Sequence, residues 1–166
     1  MASKFIALPK SVSEKSFAAA IAEFRRIVGQ DSVLVTAEQL APYIKTMMPV
    51  PDADHTPSAA LLATTVEQIQ KIVGICNTYK VPIWMISTGR NFGYGSAAPA
   101  ERGQVVLDLK RMNRILEVDP DLCFALVEPG VTYKQLYDYI HEHKYPLWIS
   151  CPAPSAIAGP TGNTLD

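Results

Sequence analysis

The stretch Ile86-Ser87-Thr88-Gly89-Arg90-Asn91-Phe92-Gly93-Tyr94-Gly95-Ser96 decides how this chain is read. It follows a strand-like run, residues 81–86, and holds glycines, an arginine and a tyrosine in one loop. Glycine lets the backbone reach positive φ and come close to a ligand with no Cβ in the way, so that successive N–H groups can converge on an anion. The residues alone leave two readings open, a cradle for a phosphorylated ligand and an ordinary glycine turn, because short glycine patterns recur by chance. The loop is neither the G-x-G-x-x-G of a dinucleotide fold nor the G-x-x-x-x-G-K-[ST] of a nucleotide triphosphatase. No helical pattern starts after it, and residues 97–103 continue as loop. A phosphate held here would meet loop amides rather than a helix dipole.

Outward from this loop the chain alternates. Upstream, residues 59–63 read as an apolar strand. Thr65 and Gln68 form a capping box for a helix with Val66, Ile69, Ile72, Val73 and Cys76 on one face. With residues 81–86 this makes a βαβ unit whose two strands run parallel. Downstream, residues 104–109, 115–118 and 124–127 read as strands. Thr132 and Gln135 cap a further helix with Leu136, Tyr139 and Ile140 inward, and residues 147–149 read as a last short strand. A second glycine-bearing loop follows, residues 152–163, so two such loops could close on one elongated ligand. Nearer the N-terminus, Ser13 caps a helix whose face is Phe17, Ile21, Phe24, Ile27 and Val28, and Gly29 stops it. Residues 32–35 form a short strand, and a short helix after Thr36 runs towards Met47 and Met48. The proline-rich stretch 49–57 is the expected boundary, giving an N-terminal helical segment and linker over 1–54 and a second unit over 55–166.

Composition bounds the rest. The chain has 166 residues, 48% of them hydrophobic, with 15 basic against 16 acidic side chains. It is long enough for one sizeable core, and carries no basic cluster suited to nucleic acid. No apolar run spans a bilayer and the N-terminus has no signal core, which leaves the compartment open. Cys76, Cys123 and Cys151 are odd in number and widely spaced, so neither a disulfide framework nor a zinc site is indicated; they read best as packing residues, Cys76 on a helix stripe and Cys123 within a strand, with Cys151, before Pro152 in a proline-rich loop, left open as a ligand neighbour. The final residues, Thr164-Leu165-Asp166, carry no stop signal, so the sequence is expected to end within a domain.

The succession Ser87-Thr88-Gly89-Arg90-Asn91-Phe92-Gly93-Tyr94-Gly95, Val105-Val106-Leu107-Asp108-Leu109, Met112-Asn113, Val127-Glu128-Pro129-Gly130-Val131-Thr132-Tyr133 and Gly162-Asn163-Thr164-Leu165-Asp166 resembles the FAD-binding domain of the vanillyl-alcohol oxidase and p-cresol methylhydroxylase (PCMH) family. Met47-Met48-Pro49-Val50 and Ser155-Ala156-Ile157-Ala158-Gly159-Pro160 resemble its hydroxylating-dehydrogenase branch. The resemblance implies an α+β fold, the first part of a PCMH-type FAD-binding domain. It implies that Ser87, Thr88, Gly89, Arg90, Asn91 and Phe92 wrap the FAD pyrophosphate. Pro129, Gly130, Pro152, Ser155, Gly159, Gly162 and Asn163 would line the cofactor from the other side. Tyr94 would hold the substrate's phenolic oxygen as phenolate, a catalytic role. The implied activity is FAD-dependent oxidation and hydroxylation of a 4-alkylphenol such as p-cresol through a quinone methide, with electrons passed to a c-type cytochrome subunit and a homo-oligomeric full-length form. No C-x-x-C-H stands in this sequence, so the haem would belong to another chain. The oxidase branch of the family has an aspartate where this chain has Ala153, which argues against the alternative of an oxygen-using phenolic oxidase. A non-catalytic truncated nucleotide-binding chain is the other rival. No metal is expected.

Overall fold

The computed structural model describes residues 5–46, 48–90, 97–149 and 155–165. Its first layer is helix α1, Glu14–Val28, with Ser13 as N-cap accepting from the Ser16 N–H at 3.2 Å. The 4- and 3-residue spacing of Phe17, Ile21 and Phe24 puts all of them on one buried stripe. Strand β1, Val33–Leu34, follows. Helix α2, Ala37–Leu40, opens on a complete capping box between Thr36 and Gln39 that the sequence reading did not name. That helix was expected to run towards Met47 and Met48; it ends at Leu40 and tightens into a 3₁₀ turn, Ala41–Tyr43, because Pro42 has no N–H to continue the ladder.

Strand β2, Ala59–Leu62, helix α3, Val66–Tyr79, and strand β3, Ile83–Ile86, form the expected βαβ unit. Strand β4, Val105–Asp108, then slots between them, so the sheet order is β1-β2-β4-β3. β2 and β3 each pair in parallel with β4, and β1 pairs antiparallel with β2. The crossover strand in the middle is buried on both faces, as parallel strands require. Ala59, Leu61, Val105 and Leu107 face α1 and α3 in the main core. One residue on, Ala60, Val106 and Ile86 face Leu40 and Tyr43 on the opposite side. The Thr65 hydroxyl caps α3, accepting from the Gln68 N–H at 3.2 Å. The Gln68 carboxamide accepts from the Thr64 N–H and hydroxyl instead of completing the expected box.

Strands β5, Ile115–Asp119, and β6, Phe124–Val127, make an antiparallel ribbon with a register shift between Ile115 and Glu117. Helix α4, Tyr133–Glu142, starts from the predicted Thr132/Gln135 capping box and buries Leu136 and Ile140 against this ribbon, with Tyr139 half-buried. Cys123 is not a packed strand residue. The Asp119 carboxylate accepts from the N–H groups of Asp121 and Leu122, folding a turn that leaves Cys123 exposed at φ 57°. Cys76 is buried in α3 as expected, and burial pushes its thiol up to about 11; Cys151 lies outside the described residues.

Residues 147–149 form no strand. They follow Pro146 and pair with no strand among the described residues; Leu147 and Ile149 pack against the α4 cluster instead. The second loop is also shorter than the sequence suggests, because helix α5, Pro160–Leu165, begins inside it and places Gly162 and Asn163 in helical conformation. Proline is pre-organised for a first helical position, a signal the loop-like composition masked. Among the described residues no helix is long and apolar enough to cross a membrane.

Candidate functional site

Parallel strands β3 and β4 end side by side, with Ile86 opposite Asp108. Ligand sites of open parallel sheets lie at this carboxyl edge, where loops diverge. The Leu109 N–H donates to the Ile86 carbonyl at 3.0 Å and closes the sheet there. Residues 87–90 leave β3 directly above it. The Ser87 hydroxyl donates to the Pro129 carbonyl. The Thr88 hydroxyl accepts from the Gly159 N–H at 3.0 Å. Gly89 stands at φ 68°, a left-handed turn that favours glycine. The Arg90 carbonyl accepts from the Asn163 carboxamide at 3.0 Å, and the same carboxamide donates to the Gly159 carbonyl at 2.8 Å.

Three segments far apart in sequence therefore share one hydrogen-bonded edge. The middle one, Pro129 and Gly130, is fixed from below. Gly130 N–H donates to the Met112 carbonyl at 2.7 Å. The neighbouring Glu128 is buried, and accepts from the Arg114 main-chain N–H at 2.8 Å and from Arg114 Nε at 2.9 Å. Hydrogen bonding from the Arg114 side chain holds the Glu128 carboxyl below the usual carboxylate range, against the opposing effect of burial. The third segment is docked onto α4: the Tyr133 N–H donates to the Ala158 carbonyl at 2.9 Å.

Of the residues singled out from the sequence, Ser87, Thr88, Gly89, Arg90, Pro129, Gly130, Gly159 and Asn163 meet at this edge. Ser155 is exposed at the rim, and Gly162 sits in α5 with open space around it. Asn91, Phe92, Tyr94 and Pro152 lie outside the described residues. Beside the edge opens a cleft of about 340 Å³ lined by Thr88, Lys110, Asn113, Gly130, Thr132, Gln135 and Ile157. Lys110, Thr132 and Gln135 were not named as binding residues. Lys110 follows the Val105 to Leu109 block by one position, which is the only sequence signal it carries. A second cavity of about 540 Å³, under α4 and lined by Phe124, Leu136 and Trp148 among others, is apolar and holds none of the expected residues.

The edge suits a phosphorylated cofactor. A Cβ on Gly159 would lie 2.9 Å from Thr88 Cγ2 and 3.0 Å from Ser87 Oγ, so the two loops approach as closely as only glycine permits. The Thr88 and Thr132 hydroxyls, the Asn113 and Gln135 carboxamides and Lys110 line the cleft, and Arg90 at the end of the first described loop segment is exposed, a donor set matched to phosphate oxygens. The comparisons agree with it. The chain belongs to the FAD-binding-domain family, whose pattern matches residues 57–164. Within that class it is 62% identical over 159 residues to the 4-cresol dehydrogenase [hydroxylating] flavoprotein subunit of Pseudomonas putida, covering 96% of this chain and 30% of that protein. It superposes on a crystal structure of p-cresol methylhydroxylase with substrate bound at a TM-score of 0.93 and 62% identity, over 96% of this chain and 31% of that one. An isoeugenol complex of the 4-ethylphenol oxidase from Gulosibacter chungangensis gives a TM-score of 0.89 at 38% identity, over 96% of this chain and 30% of that one. The chain thus spans about 30% of the length of these relatives.

Proposed function

We propose that these residues supply the pyrophosphate-binding part of an FAD site in a flavoprotein that oxidises and hydroxylates 4-alkylphenols such as p-cresol. The observation that carries this reading is the convergence of residues 87–90, 129–130 and 159–163 on the carboxyl edge of β3 and β4. Bound FAD supplies a hydride acceptor. The chain's own residues bind and orient it: Ser87, Thr88 and Gly89 with Asn91 and Phe92 around the pyrophosphate, and Pro129, Gly130, Pro152, Ser155, Gly159, Gly162 and Asn163 opposite. Arg90 contributes a bidentate-capable cation at the rim. Tyr94 is assigned the phenolate contact, where a hydroxyl donor aimed at substrate negative charge favours loss of hydride from the para-alkyl carbon. The 62% identity to a flavoprotein subunit of a hydroxylating 4-cresol dehydrogenase, against 38% to a 4-ethylphenol oxidase, favours the dehydrogenase reading. We extend it to a c-type cytochrome partner and a homo-oligomeric full-length form. The division into 1–54 and 55–166 rests on the proline-rich stretch 49–57; the family match begins at residue 57, while α1 and β1 share the main core with α3 and β2.

The test is flavin content and turnover in the full-length protein. Gly89→Val, which places a branched side chain at φ 68° against Ala97, is expected to abolish FAD uptake while the far-ultraviolet spectrum of the fold is kept. Tyr94→Phe is expected to keep flavin and lose about 10²-fold in turnover on p-cresol. A Gly89→Val protein with normal flavin refutes the site. Unchanged turnover in Tyr94→Phe refutes the phenolate role.

A further inference from the structure

Asp108, 1% exposed at the end of β4, is a buried carboxylate. The Tyr43 hydroxyl donates to its Oδ2 at 2.7 Å, and Lys110 Nζ lies 2.9 Å from the same oxygen. Lys110 Nζ also donates to the Tyr43 oxygen at 3.1 Å, and the Lys110 main-chain N–H donates to Asp108 Oδ1 at 2.9 Å. Burial first, then the Asp108 carboxylate, pushes the Tyr43 phenol well above its ordinary range, so it stays a proton donor to Asp108. An ammonium has three N–H donors, and this triangle engages it on one side only. The Lys110 side chain is half exposed and faces the cleft it shares with Thr88, Asn113 and Gly130. A flexible lysine is thereby turned into a cation of fixed position at the meeting point of the first two loops. Among the described residues lining that cleft it is the one whose side chain carries a charge.

We infer that Lys110 is a direct contact to the diphosphate of the bound dinucleotide, and that Tyr43 and Asp108 are positioning residues which hold its ammonium there. This rests on the FAD-site reading above. A buried carboxylate with one cationic partner needs no further ligand for its own neutrality, and the remaining donor capacity of the ammonium lies at a cleft whose other described lining residues are Thr88, Asn113, Gly130, Thr132, Gln135 and Ile157. An acceptor-rich anion is the chemical class that satisfies it.

The experiment titrates the flavin-free form of the full-length protein with FAD and with riboflavin, which lacks phosphate, at several salt concentrations. Lys110→Met is expected to weaken FAD binding about tenfold, the size of one charge-assisted hydrogen bond in a half-open site. It should leave riboflavin binding unchanged and flatten the salt dependence of FAD affinity. Lys110→Arg should recover most of the affinity. Tyr43→Phe, which keeps the cation but loosens it, should give a smaller loss confined to FAD. Equal weakening of FAD and riboflavin in Lys110→Met would mean the lysine only supports the fold, and overturns the inference. FAD affinity and salt dependence matching the unsubstituted protein overturn it too. If Gly89→Val still abolishes binding in that case, the FAD-site reading stands without Lys110. If Gly89→Val also binds normally, that reading falls with it.

Discussion

Gly130→Ala probes the closest approach in the site. A Cβ on Gly130 would lie 2.5 Å from the Leu109 carbonyl oxygen and 2.7 Å from Lys110 C and Cα, all main-chain atoms. Because Gly130 does not adopt positive φ, alanine carries no backbone penalty of its own, and the loss of glycine's freedom in the unfolded chain would even stabilise by up to about 1 kcal/mol. The steric effect opposes this and wins. Relief needs the turn after β4 to move by several tenths of an ångström, and no rotamer change can supply it. Overpacking of this kind costs roughly 1–3 kcal/mol, and weakening the Gly130 N–H bond to the Met112 carbonyl adds about 1. The net is a local destabilisation of about 2–3 kcal/mol. Hydrogen exchange read by mass spectrometry checks it, with the amides of Leu109, Lys110 and Met112 as reporters. Their exchange should accelerate about 10²-fold in the full-length protein, while α1 and α3 change little, because opening here is local. An acceleration below threefold would refute the argument that Gly130 is retained for close approach.

Glu128→Gln should remove a pH dependence. The folded-state carboxyl lies below its unfolded value, so its contribution is fully present above about pH 4.5 and is lost as the pH falls through the folded value. Acid unfolding of the Gln variant should be shallower in that window, and an identical acid limb would argue against the Arg114 pairing. Iodoacetamide at pH 8 should label exposed Cys123 and leave Cys76 unmodified until the protein unfolds, as peptide mapping will report, since burial pushes the Cys76 thiol up to about 11. Lys80 ends α3 at φ 57°, where its N–H donates to the Cys76 carbonyl, so Lys80→Gly should stabilise the protein by about 0.5–1 kcal/mol in thermal unfolding. A lower melting temperature would show that the Lys80 side chain contributes more than its strained backbone costs.

Local signals in the sequence were enough for most elements. Ser13, Thr65 and Thr132 mark helix starts because their hydroxyls cap N–H groups within three residues, and Phe17, Ile21 and Phe24 mark a face because helical spacing does. The glycine loop after β3 was legible for the same reason: it sits at the end of an apolar run, and its residue types restrict its backbone. Where composition misled, a local competitor had been missed. Pro160 starts a helix inside a loop-like stretch, and the Asp119 carboxylate folds the turn that exposes Cys123.

The site itself belongs to tertiary structure. Nothing in the spacing of Ser87, Pro129 and Gly159 says that they meet. They meet because β4 inserts between β2 and β3, which puts the turn at Leu109 beside the first loop and lets Gly130 settle on it. The Tyr43–Asp108–Lys110 triangle is non-local in the same way. Tyr43 reads as one more aromatic residue after a proline until the alternation of β4 turns Val106 and Asp108 towards it. The sequence determines which residues are able to form helices, strands and a phosphate-competent loop, since those preferences act over a few bonds. Which of them face one another is set by strand order and by the burial of both faces of the sheet, and that is a property of the whole fold.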